Sequence, residues 1–172
     1  MAIKDYCFFD INISSFLFLL LHKFYLMKLS EGEMYIMKTN SNCKKEFFLP
    51  YQQKVLNISE IIDIEAENNH LHLFNSVGAL SLKKIKFSLL CVKILQKTLY
   101  KKFAKTDFII YLEYGSANDV TLRFHQQLND FMYIDVNSDK FSKKEIVKFK
   151  NSIAYILFSR KNKTGDGSAI DG

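Results

Sequence analysis

Two groups of side chains in this chain have types and spacings that could do chemistry. The larger could hold a polyanion. Lys86, Lys93, Lys97 and Lys101 recur at seven- and four-residue intervals, which on a helix makes one row. Repulsion along such a row costs about 0.2–0.5 kcal/mol per pair in water, and phosphates laid along it reverse the sign. Tyr111, Arg123, His125 and Tyr133 fall at alternating positions of strand-length runs. On an open sheet face they could stack on bases and neutralise phosphates. The smaller group is His70 and His72, two residues apart and so on one face of a strand. That is ligand-like geometry, but no carboxylate or cysteine stands at a matching spacing. No metal site is assigned, and the pair is expected at a strand edge.

Catalysis finds no comparable set. The chain carries no Gly-rich phosphate loop, no His-Glu-x-x-His and no Gly-x-Ser-x-Gly. Asp135 and Asp139 are close in sequence, but one is expected on a strand and the other in a loop. A non-enzyme without a cofactor is the expectation. Cys7, Cys43 and Cys91 are an odd number, far apart, without a Cys-x-x-Cys pair. They fit reduced thiols in a cytoplasmic protein and exclude a cysteine-rich zinc finger. Net charge is +6, with most of the excess after Lys83, which favours an anionic partner.

The elements that must position these residues follow from periodicity. From Lys83 to Phe103, Val92, Leu95, Leu99 and Phe103 form the apolar stripe of a helix, opposite the lysines. Phe108–Tyr114, Val120–His125 and Phe131–Val136 are alternating or apolar runs separated by short polar breaks, as in a three-strand meander. The first is apolar on both faces except at Glu113, which suits a strand packed on each side. Ser142 and Glu145 have the spacing of a capping box, and Ile146, Phe149, Ile153 and Leu157 recur at helical intervals. The expected fold class is therefore α+β. Its unit is αβββα, two helices packed on one face of a three-stranded antiparallel sheet, over residues 83–163, with a flexible tail at 164–172.

Upstream, residues 46–82 suggest short strands: Phe47–Leu49, Val55–Ile58, Glu60–Glu65 and His70–Phe74, with turn chemistry at Asn68–Asn69 and Gly78. Residues 1–45 are expected to be an extension outside the fold, disordered or belonging to a non-native start, since Met27, Met34 and Met37 are later possible starts. The apolar run Phe16–Leu21 is followed at once by His22 and Lys23. It is well short of the roughly 18 residues of a membrane helix, so no membrane insertion is expected.

Two resemblances sharpen these expectations. Residues about 83–160, containing KTLYKKFAKTDFIIYLEYGSANDVTLRFHQQLNDFMYIDVNSDKFSKKEIVKFKNSIAYIL, resemble the nine-kilodalton subunit of the signal recognition particle. Leu99-Tyr100, Tyr114, Arg123, Asp139 and Lys144-Glu-Ile146 match that family. It departs from the pattern at Glu113 and Gly115, where the family has basic residues. The resemblance implies an RNA-binding structural subunit in the cytoplasm. Its partners would be the particle's structured RNA, at the Alu portion, and a sister fourteen-kilodalton-type subunit in a heterodimer. The ribosome would be met indirectly, during elongation arrest. The stretch FFLP…ISEIIDIEAENNHLHLF is similar to the opening of LytTR-type DNA-binding domains, which implies a transcriptional regulator instead. A small protein-interaction module with a merely solubilising surface is the third expectation.

Overall fold

The computed structural model describes residues 24–29, 32–37, 55–74, 80–115 and 119–160. The most apolar runs form its centre. Strand β4 is Phe108–Tyr114 and strand β7 is Ser152–Ser159, and they pair in parallel, Tyr111 against Tyr155. Side chains on both faces of β4 are buried except Glu113, as expected of a strand covered twice. Strand β5, Val120–Gln126, pairs antiparallel with β4, and the short strand β3, His70–His72, adds beyond β5. Strand β6, Phe141–Phe149, pairs with β7, so the five-stranded sheet has the order β3-β5-β4-β7-β6. Strands β1, Phe24–Leu29, and β2, Gly32–Met37, form a separate antiparallel hairpin.

One sheet face is roofed by helix α2, Leu82–Lys102, capped by Ser81. Cys91, Val92, Leu95 and Leu99 pack on Phe108, Ile110, Leu112, Leu122, Phe124 and Ile156. Each fully buried large side chain there contributes about 1.5–3 kcal/mol. The other face is covered by residues 127–140, which cross from the end of β5 to the start of β6. Ile134 and Val136 of this crossover bury against Ile109, Tyr111, Phe141 and Leu157.

The mixed α+β class holds, with a five-stranded sheet and two helices among the described residues. Several local expectations do not. Phe131–Val136 is not a strand: its alternation reflects side chains dipping onto the sheet from a crossover whose backbone joins no ladder. Residues 142–157 are not a helix but the β6–β7 hairpin. Lys150, at φ 48°, turns the chain, and the Asn151 amide donates to the carbonyls of Phe103 and Thr106, pinning the turn below the end of α2. The Ser142 hydroxyl donates to the Phe158 carbonyl instead of capping, and Glu145 pairs with Lys143. With a hairpin in place of the closing helix, the expected αβββα unit does not form.

Ile58–Asn68 is helix α1, where strands were expected and where the LytTR-type likeness needs them. Asn57-x-x-Glu60 is a working capping box: Asn57 Oδ1 accepts from the Glu60 N–H at 2.9 Å and Glu60 Oε2 from the Asn57 N–H at 3.0 Å. Replacing Asn57 with alanine is expected to cost about 1 kcal/mol in urea unfolding. The strands expected at 47–49 lie outside the described residues, whereas β3 falls at the expected place.

Residues 32–37, expected in an extension, sit in the core. Tyr35 and Met37 join the main cluster, with the Tyr35 ring 4.8 Å from Phe103 and 5.3 Å from Phe108, while Met34 and Ile36 pack against Ile61 of α1. Glu65 of α1 and Asn69, which caps its C-terminus, hold β2 beside β5. The Glu65 carboxyl accepts from the N–H groups of Tyr35 (2.6 Å) and Gln126 (2.7 Å) and from the Gln126 amide (2.9 Å). Asn69 then accepts from the Met37 N–H at 2.7 Å and donates to the carbonyls of Tyr35 and Phe124. Two side chains one helical turn apart thus take the place of a strand-to-strand ladder.

Candidate nucleic-acid interface

The apolar stripe that seats α2 on the sheet fixes what its outer arc displays. At three- and four-residue intervals this arc carries Lys86, Leu90, Lys93, Lys97 and Lys101, all exposed. At 1.5 Å per residue the row spans about 22 Å, enough for several consecutive phosphates. None of the four lysines is ion-paired with a described residue. Lys101 lies in the last turn, where the helix dipole favours a cation.

The hairpin turn extends the row sideways. Lys150 Nζ lies 5.8 Å from the ring of Tyr100, which meets Phe149 edge-on at 6.2 Å. Tyr100 is 40% exposed between Lys97 and Lys101, leaving an aromatic face among cations. The four expected lysines are therefore brought together, and Tyr100 and Lys150 join them. Tyr100 was legible only as the edge of the apolar stripe. Lys150 was hidden by reading the turn as mid-helix.

The other four expected residues lie on the far side of the sheet and do not form an open surface. Tyr111 and His125 are fully buried below the crossover. The His125 Nδ1 sits 2.6 Å from the Gln126 carbonyl, which requires a proton on that nitrogen, so Nε2 accepts from the Tyr111 hydroxyl at 3.1 Å. Burial lowers the His125 pKa to about 4 and raises that of Tyr111 to about 12, so both are neutral. Tyr111→Phe leaves a buried acceptor without its donor. It is expected to cost about 1 kcal/mol in unfolding experiments.

Arg123 is occupied within the protein. Its Nε lies 3.3 Å from Glu113 Oε1, an ion pair without hydrogen-bond geometry. An Nη donates to the Tyr133 hydroxyl at 3.2 Å, and the guanidinium carbon stands 5.3 Å from that ring. Tyr133 belongs to the crossover, not to a strand.

No family model, curated protein or solved structure matches the chain.

Other polar groups are likewise engaged. The His70 and His72 rings meet edge-on at 4.5 Å, and burial, then the charge of Arg123, lowers the His70 pKa to about 4. Among the described residues, no three His, Cys, Asp or Glu side chains gather as a metal site. Burial raises the Cys91 thiol to about 12, so it is a core residue rather than a nucleophile. Asp135 accepts from the Asn137 N–H in a local turn. A cleft of about 790 Å³ opens between β2, the start of α1 and the end of β5. On its wall the Tyr35 hydroxyl bonds Glu33 and Thr106. Among the described residues, no helix is long and apolar enough to cross a membrane.

Proposed function

We propose that this protein is a non-catalytic binding protein that engages nucleic acid, structured RNA in the first place, through the outer arc of α2. The observation that carries the reading is the row Lys86, Lys93, Lys97 and Lys101, exposed on one helix and without an ion pair to any described residue, with Tyr100 and Lys150 beside it. A helix seated on a sheet holds its charges at fixed spacing, so phosphates meet them with little further ordering. The proposal keeps the RNA partner that the signal recognition particle resemblance implies, but moves the contact from the sheet to the helix. That family's closing helix has no counterpart in the β6–β7 hairpin, so a sister subunit and the particle itself receive no support from the order of elements. Binding to a labelled RNA hairpin, followed by anisotropy over a salt series, tests the reading. Affinity must fall steeply with salt, and must fall when the α2 lysines are replaced.

A further inference from the structure

The outer edge of the sheet offers a second surface, separate from the α2 row. Strand β6 is nine residues long and pairs only with β7, so along its other side alternate N–H and C=O groups have no strand partner among the described residues. It is exposed from Ser142 to Ile146 and again at Lys148. Lys144, Ile146 and Lys148 stand on one face, opposite Leu157, Tyr155 and Ile153 of β7, and Ile146 is 51% exposed between the two cations. Lys140 adds to this charge, while the sole carboxylate of the strand, Glu145, and Lys143 offset each other.

We propose that β6 accepts an extended acidic segment of a partner protein as a sixth strand. Added strands are held by main-chain hydrogen bonds and selected by side chains at alternate positions. The Lys144–Ile146–Lys148 face therefore selects an acid, an apolar residue and an acid at every second position. The same charges exclude a second copy of this chain. Edge lysines are a device against self-pairing. An antiparallel β6–β6 pair centred on Ile146 would set Lys144 of each copy against Lys148 of the other, and like charges directly opposite are destabilising.

The test uses the full chain, labelled for amide spectroscopy, and two nine-residue capped peptides with the central pattern Glu-Thr-Val-Thr-Glu or Lys-Thr-Val-Thr-Lys. The acidic peptide is expected to shift the amides of Lys143–Phe149 and slow their exchange, and the basic peptide is expected to do neither. Lys144→Glu with Lys148→Glu should weaken the acidic peptide by about tenfold or more and admit the basic one, since two exposed ion pairs become two repulsions. Substitution of the α2 lysines should leave peptide binding in place, which separates this proposal from the nucleic-acid reading. The proposal is overturned by equal binding of both peptides, by shifts confined to α2, by an RNA hairpin shifting the β6 amides in place of the peptide, or by self-association through β6.

Discussion

Glu65→Ala is expected to lower the free energy of unfolding by about 3–5 kcal/mol, at the upper end for a single substitution. The reason is the number of donors that converge on one buried carboxyl. The Tyr35 N–H, the Gln126 N–H and the Gln126 amide all lose their acceptor, in a site from which water is excluded. The loss falls on the joint between β2 and β5, so the hairpin should loosen first. Amide exchange at Tyr35 and Met37 should accelerate more than exchange at Leu112. Glu65→Gln keeps one acceptor oxygen but turns an NH2 toward a backbone donor, and is expected to cost about 1–3 kcal/mol. If Glu65→Ala unfolds in urea at the wild-type midpoint, the joint is held by packing alone.

The same carboxyl shapes the pH dependence. Burial raises the Glu65 pKa from 4.5 to about 8, outweighing the N–H donors that favour its charged form. Between those values the native state binds more protons than the unfolded chain, so this group's contribution falls as pH rises. His125 and His70 act in the opposite sense: the pKa of each drops from 6.5 to about 4, so their contribution is lost as pH falls below 6.5. Wild-type stability is therefore expected to rise from pH 5 to 6.5, where the two imidazoles outweigh the one carboxyl, and to decline from 6.5 to 8. In Glu65→Gln the decline should vanish and the rise up to pH 6.5 should steepen. Urea midpoints across this range measure both slopes, and an unchanged decline in the variant would remove Glu65 as its source.

How much of this was legible differs from element to element for physical reasons. Strand β4 and helix α2 were readable because burial decides both: one is apolar on two faces, the other along a single stripe. The β6–β7 hairpin was not, because Ile146, Phe149, Ile153 and Leu157 satisfy a helical period by coincidence. The turn between the strands is made by Lys150 and Asn151, without the glycine that usually marks a tight hairpin. At α1 the error ran the other way. The acidic and apolar alternation of Glu60–Glu65 hid Ile58, Ile61, Ile62 and Ala66, which fit a helical face, and the Asn57–Glu60 cap passed unnoticed. The same capping-box spacing is thus in use at Asn57–Glu60 and idle at Ser142–Glu145. What separates them is the segment that follows, and Ile153–Phe158 is a continuous apolar run suited to an inner strand. The candidate site divided along the same line. The lysine row depended only on α2, whereas the sheet set required an uncovered face, and no local pattern foretold that 127–140 would cross it.

That division makes the second large effect specific. Replacing Lys93, Lys97 and Lys101 together with alanine is expected to weaken RNA binding on the order of a hundredfold at 0.1 M salt. A phosphate that no longer meets a lysine keeps its condensed counterion, and the release forgone is by itself worth nearly tenfold at that concentration. The slope of log affinity against log salt should become shallower by about two to three over the same substitutions, which a loss of fold would not produce. The far side of the sheet supplies the control. Arg123→Ala removes a cation of equal charge, but one already held by Glu113 and Tyr133. It should change affinity by less than about twofold, leave the salt slope as it was, and register in stability instead. Total charge would act alike at both places, so equal losses from equal numbers of removed charges would mean that RNA responds to net charge and not to the α2 row. A large effect of Arg123 with a small one of the lysines would place the contact back on the sheet, which the crossover between β5 and β6 would then have to uncover.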